Sequence, residues 1–257
     1  MIIELTKLTK LKKKVQLEAV KQKGEYIKFI KNPDKEVQLT AVDKDGYAIR
    51  FIKNPDKDVQ LAAVNKNSNS IEYIENPDKD IQLAAVRKCG NSIRFINNPD
   101  RDVQLAAVKQ NGYSIQHIFN PDKELQLIAV KDKGFALRFI NNPDKEVRLE
   151  ALKQNGLAIQ FIDNPDKELQ LEAVKQNGYS IKFIINPDKE ISDRIKIYKT
   201  SHRTIYVFRD DNGEFKFSIG CQKNISKEDF IFRIHETDGG LEEKPYRQEY
   251  LDILKQY

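Results

Sequence analysis

The chain has 257 residues, of which 39% are hydrophobic and 32% charged, and its formal net charge is +5. That supplies apolar material for one or two domains, and no run approaches the roughly 18 unbroken apolar residues that cross a bilayer. The only cysteines, Cys89 and Cys221, lie too far apart and are too few for a disulfide framework.

Residues 1–31 hold nine Lys and three Glu, and so carry the positive excess. No long apolar run precedes a small-residue cleavage site, so a secretory signal is not expected and a cytoplasmic protein with reduced thiols is. Residues 32–190 hold 23 Lys/Arg against 24 Asp/Glu, and residues 191–257 hold twelve of each. A positive footprint sustained along the whole molecule, as DNA binding would favour, is therefore lacking. Lys10, Lys12, Lys13 and Lys14 remain candidate contacts to phosphates or to an acidic partner.

The dominant feature begins at Asn32. "NPDKEVQLTAVDKDGYAIRFIK" (32–53) is followed by "NPDKDVQLAAVNKNSNSIEYIE" (54–75), and Asn-Pro-Asp recurs every 22 residues at 32, 54, 76, 98, 120, 142, 164 and 186. A strict period in this range marks a repeat array. Pro33 marks a boundary, because it has no amide and disfavours helix in the residue before it. Either Asn32 or Asp34 caps the helix that follows. Val37, Leu39, Ala41 and Val42 give that helix a broad apolar face. Gly46 reads as a left-handed C-cap. Tyr47, Ile49, Phe51 and Ile52 then form a second, shorter helix. Each unit is a helix of about three turns, a tight turn and a helix of about two turns. Such pairs bury their apolar faces by stacking on neighbours. Residues 10–31 fit the same frame, with Leu11 and Lys12 in place of Pro and Asp, so 1–31 reads as a basic N-terminal capping repeat.

Units such as "NPDKEVQLAAVKQNGYSI" resemble a family of short helical repeats of unknown function found in bacteria, protists and giant viruses. The pattern also resembles HEAT-type repeats, whose first helix often opens with Asp-Pro and "EVR". The resemblance covers roughly residues 10–195 and implies an α/α-solenoid of about eight repeats, without implying an activity. HEAT-like DNA glycosylases use such scaffolds, but this chain has no tryptophan and no carboxylate isolated in an aromatic setting. No catalytic residue is carried over.

The repeats are expected to occupy 32–195 and a small α+β module 196–257. "RTIYVFRDDNGEFKFSIGCQ" (203–222) alternates along two runs around Asn212-Gly213, a hairpin signal. Ser226 and Asp229 resemble a capping box opening a helix. Gly239-Gly240 breaks that helix, and a second follows Pro245, with Tyr246, Tyr250, Ile253 and Tyr257 along one side. "IGCQKNISKEDF" resembles a short module that follows repeat arrays in bacterial and phage proteins. A cap over the last repeat and a separate effector domain are the two readings of this module.

Candidate binding positions follow from the comparison of repeats. Arg50, Glu72, Arg94, Gln116, Arg138, Gln160 and Lys182, with Lys28, vary on the second helix and are expected to face water. Phe119 and Ile185 are apolar where other units are polar. They are anchors if exposed; local packing, or contact with the C-terminal module for Ile185, is the alternative. Gln16, Gln38, Gln60, Gln82, Gln104, Gln126 and Gln170 form a column, interrupted by Arg148, that reads as a structural bond between neighbouring repeats. Lys21, Arg87, Lys88, Lys109, Lys131, Lys153 and Lys175 complement the helix dipole at helix ends, and would also form a basic rim for phosphates or an acidic partner. His117 stands in a Phe position and is expected to pack. His202, His235 and Cys221 lack metal-ligand spacing, and "DDNG" (210–213) is a turn without calcium-loop spacing. No metal or cofactor is expected. A non-catalytic scaffold or inhibitor that binds another protein, such as an anti-defence binder, is the expectation. Nucleic-acid binding through the basic cap and rim is the alternative.

Overall fold

The geometry of one repeat explains its sequence. The computed structural model describes the backbone of residues 2–201, 203–219, 224–236 and 246–257, and their side chains except those of 2–11, 233–236 and 246–247. In the unit that starts at Asn32, that residue has φ +50°, and every equivalent Asn lies between +46° and +55°. Asn tolerates this left-handed region better than other residues with a Cβ. Asp34 is therefore the cap: its Oδ1 accepts from the Val37 amide at 3.0 Å. Helix Lys35–Lys44 follows and buries Val37, Ala41 and Val42. Gln38 Nε2 donates to the Pro33 carbonyl at 2.8 Å, and Gln60, Gln82, Gln104 and Gln170 do the same to Pro55, Pro77, Pro99 and Pro165. In these five repeats the glutamine thus makes a bond inside its own repeat. Gln170 also reaches the next one, accepting from the Asp188 amide at 2.9 Å.

The second element is a six-residue 3₁₀-helix, Gly46–Phe51. Asp45 caps it, accepting from the Tyr47 amide at 3.0 Å. Gly46 does not take the left-handed conformation expected of it; among the described glycines only Gly213 does, at φ +81°. Its small size is what matters, since a Cβ on Gly46 would lie 2.7 Å from the carbonyl oxygen of Ala63 in the next repeat. Ser68 fills the equivalent place in one repeat.

The chain divides into two compact units, Met1–Pro121 and Asp122–Tyr257. In the first, α1 (Ile2–Gln22), α2 (Lys35–Lys44), α3 (Lys57–Lys66), α4 (Lys79–Lys88) and α5 (Arg101–Gln110) alternate with 3₁₀-helices η1 (Gly24–Phe29), η2 (Gly46–Phe51), η3 (Ser68–Tyr73), η4 (Gly90–Phe95) and η5 (Gly112–His117). α1 is one 21-residue helix that starts ahead of the expected repeat frame. Each later α-helix packs on the α-helix and the 3₁₀-helix of the repeat before it. Val37, Val59, Ile81 and Val103 are 0% exposed, and Ile49, Ile71, Ile93 and Ile115 are 1% exposed. Each such side chain contributes at most about 1.5–3 kcal/mol.

The second unit repeats the scheme in α6 (Lys123–Asp132), η6 (Gly134–Phe139), α7 (Lys145–Gln154), η7 (Gly156–Phe161), α8 (Lys167–Gln176) and η8 (Gly178–Phe183), then ends the array with the short α9 (Lys189–Arg194). The module that follows has three antiparallel strands, β1 (Ile195–Lys199), β2 (Thr204–Arg209) and β3 (Phe215–Ile219), in the order β1-β2-β3. The hairpin of β2 and β3 was expected; β1 was not, and Ile195 pairs with Phe208. Helices α10 (Lys227–Glu236) and α11 (Tyr246–Leu254) complete it. Ser226 Oγ caps α10, accepting from the Asp229 amide at 3.0 Å. Asp210 Oδ1 accepts from the Asn212 and Glu214 amides at 2.9 Å, closing the turn.

Strand β2 is buried on both sides. Ile205 and Val207 share a core with Phe217, Phe230, Tyr250, Ile253 and Leu254. Tyr206 points the other way, its ring 5.2 Å from that of Tyr179 in η8. Asn224 joins the module to the last repeat. Its Nδ2 donates to the carbonyls of Val174 (2.8 Å) and Lys175 (2.7 Å), and its Oδ1 accepts from the Gly178 amide at 2.8 Å. One repeat earlier, Gln176 plays the same part: its Oε1 accepts from the Gly156 amide at 2.6 Å. The module therefore covers the last 3₁₀-helix as a further repeat would.

Candidate partner-binding surface

Most charges near the helix starts are engaged within the repeats. Lys35 lies 3.0 Å from the capping carboxylate of Asp56 in the next repeat and also contacts Asp58. Lys57 and Lys79 bind Asp78/Asp80 and Asp100/Asp102 in the same way. In the second unit Lys123 holds Asp144 (2.9 Å) and Glu146 (2.5 Å), and Lys145 holds Asp166 (2.9 Å) and Glu168 (2.6 Å). The cap carboxylates are held below their ordinary pKa, chiefly by the backbone amide each accepts from and then by the lysine. Their lysines are held above theirs by hydrogen bonds to these acids. Half-exposed pairs of this kind contribute little stability each; they fix the register between repeats. Lys13 belongs to this ladder, 3.0 Å from Asp34 and 2.5 Å from Glu36, and so differs from the free phosphate contact expected of it. Lys12 and Lys14 are exposed, and the Lys10 side chain lies outside the described residues.

The helix-end rim is also partly neutralised. Lys153 pairs with Glu150 at 2.7 Å, and Lys175 binds Asp211 of the C-terminal module. Lys131 is exposed, as is Lys109, which lines with Arg87, Leu83, Leu105 and Ala106 an open hollow of about 560 Å³. Three amides missed in the sequence do link neighbouring repeats: Gln110, Gln154 and Gln176 accept from the amides of Gly90, Gly134 and Gly156 at 2.6, 2.7 and 2.6 Å. Only their recurrence at the last helical position hinted at this.

The 3₁₀-helices carry the varying positions. In the first unit Lys28, Arg50, Glu72, Arg94 and Gln116 are exposed, and in the second Arg138, Gln160 and Lys182 are. Their spacing follows from the frame: each directly follows a buried Ile or Leu, or in the last repeat the half-buried Ile181. Several cations are ordered by aromatic neighbours. Arg50 lies 4.6 Å from the Phe51 ring centre, Arg94 4.5 Å from that of Phe95, and Arg138 5.1 Å from that of Phe139. Cation–π contact holds such side chains outward without burying them. Gln116 and Gln160 donate to carbonyls of their own 3₁₀-helices, those of Tyr113 (3.1 Å) and Leu157 (2.9 Å). Beside Glu72, a groove of about 480 Å³ runs past Glu75, Pro77 and Phe95.

Phe119 is 91% exposed in the first unit and Ile185 is 87% exposed in the second. The alternatives, local packing and contact of Ile185 with the C-terminal module, do not hold. His117 is exposed too, against the expectation that it packs like the Phe it replaces; partial burial, then the Arg94 charge, lowers its pKa. Cys89 is a half-buried free thiol. His202 and Cys221 lie outside the described residues, as does the His235 side chain. Among the described residues no group of three His, Cys, Asp or Glu is placed to hold a metal ion. No described helix is long and apolar enough to cross a membrane.

No curated protein and no solved structure matches the chain. A family pattern does. It fits six overlapping windows, 34–77, 56–99, 78–121, 100–143, 122–165 and 144–187, each spanning two of the repeats described above. These windows run over more than half of the sequence, and the chain belongs to the family of the domain of unknown function DUF4116.

Proposed function

We propose that the chain is a non-catalytic repeat protein, a scaffold or inhibitor, that binds another protein through the exposed faces of its 3₁₀-helices. The stacking within each unit is read as that of a HEAT-like α-solenoid. One observation carries the reading: side chains differ from repeat to repeat at exposed positions while the positions that hold the frame hardly change. Arg50, Glu72 and Arg94 in the first unit, and Arg138, Gln160 and Lys182 in the second, give each repeat its own chemistry. Phe119 and Ile185 add exposed apolar groups of the kind that dominate interface energy once covered. The frame is ordered before binding, so little conformational entropy is lost on association.

The test is affinity capture from the native host's lysate with the full chain and with an Arg94→Ala/Phe119→Ala variant. We expect a discrete protein set that the variant fails to retain. Identical capture by both forms would contradict the reading, as would turnover of a small molecule that one substitution abolishes.

A further inference from the structure

The first repeat leaves open an apolar end that the repeats after it keep covered. Val15 is 64% exposed, whereas its equivalents Val37, Val59, Ile81 and Val103 are 0% exposed. Phe29 is 75% exposed, whereas Phe51 and Phe95 are half-buried. Tyr26, 40% exposed, places its ring 6.3 Å from that of Phe29. The cause is the stacking rule: α2 packs on α1 and η1, and no described repeat does for α1 what α1 does for α2.

A lysine stands beside each of these side chains. Lys12 stands three residues before Val15, on the same side of α1. It is exposed and has no ion-pair partner among the described residues. Lys28 Nζ lies 5.0 Å from the Phe29 ring centre and is paired with Glu25 at 2.8 Å. Residues 12–31 hold seven Lys and two Glu. A second copy meeting this end across a two-fold axis would set like charges together. A nucleic-acid strand would engage the lysines and leave the aliphatic Val15 uncovered.

We propose that the N-terminal end face docks an acidic segment of a partner protein. Its Asp or Glu side chains meet Lys12, and its apolar side chains cover Val15 and Phe29. None of Lys12, Val15 and Phe29 is among the residues that carry the proposed function, so this site stands or falls independently of them.

The test pans a random-peptide display library on the full chain and counter-selects with a Val15→Ser/Phe29→Ser variant. Both side chains are exposed, so the variant is expected to keep its melting curve. Retained peptides should carry net negative charge and large apolar residues. The affinity of a representative should fall about tenfold in the variant, as for loss of a central apolar anchor. Lys12→Glu, which leaves the apolar patch intact, should also weaken it. Peptides that survive counter-selection, or that are neutral or basic, would overturn the proposal. So would single-stranded DNA that binds more tightly than the peptides and ignores Val15 and Phe29, or a dimer in sedimentation that the double variant dissolves.

Discussion

Asn98 shows how much a single backbone angle decides. At φ +48° it occupies a region that costs a residue with a Cβ, and Asn bears that cost better than most. Asn98→Ala is expected to destabilise the chain by about 1 kcal/mol in urea titrations, while Asn98→Gly stays within about 0.5 kcal/mol of the parent. Equal loss in both would mean that the side chain, and not the angle, is what matters. Gly46 makes the opposite case. Its constraint is the Ala63 carbonyl oxygen 2.7 Å from the missing Cβ, so Gly46→Ala should cost about 1–3 kcal/mol through overpacking. A melting curve unchanged by Gly46→Ala would refute this. The recurrence of Asn, Pro, Asp and Gly was legible in the sequence, but the division of labour was not. Asn and Gly both tolerate left-handed backbone, and only the neighbouring repeat's carbonyl, 17 residues away, reveals which of them uses it.

Within an element, the Asp caps tie helix starts to pH. The carboxylates of Asp56, Asp78, Asp100, Asp144 and Asp166 have folded-state pKa values below the ordinary one, chiefly because each accepts a backbone amide. Their stabilisation is complete above the unfolded value of about 3.9 and is lost as pH falls through the lower folded value. The ladder lysines have raised values, so their share persists below about 10.4 and is lost only in stronger alkali. Urea midpoints should therefore hold level between about pH 5 and 9 and fall steeply below pH 4; a midpoint unchanged at pH 3 would contradict this. Removing one cap by Asp166→Ala should cost about 1 kcal/mol. At the far end of the array, Asn224→Ala would leave the Gly178 amide only its 3.2 Å bond to Ser218 Oγ and remove the donor to two carbonyls, at a cost of about 1–3 kcal/mol. Faster hydrogen exchange in η8 than in η7 is the expected sign, and unchanged exchange would show that Asn224 does not hold the module in place. The helical pairs were readable because a 22-residue period repeats their apolar spacing. Strand β1 was not, because the short turn that joins it to β2, where the Thr200 amide donates to the Arg203 carbonyl at 3.1 Å, carries no Gly, Pro or Asn signal. Asn224 was invisible because it imitates Gln176 in space, with no likeness in sequence context.

At the scale of the whole molecule, the repeat separates two jobs. Capping carboxylates and the lysine ladder hold one repeat to the next, the glutamine bond to the proline carbonyl fixes the start of a repeat, and these side chains are consumed in doing so. The varying 3₁₀ positions face solvent. The exposed column was legible because the eight units could be compared with one another. The loss of Lys13 to the ladder was not, since its acids sit in the next repeat. The most direct test is hydrogen–deuterium exchange of the chain alone and bound to its captured partner. The account predicts protection centred on Gly46–Phe51, Ser68–Tyr73, Gly90–Phe95 and Gly112–His117, and on their counterparts in the second unit, with the α-helices little changed. Protection confined to the α-helices, or none at any repeat, would contradict it.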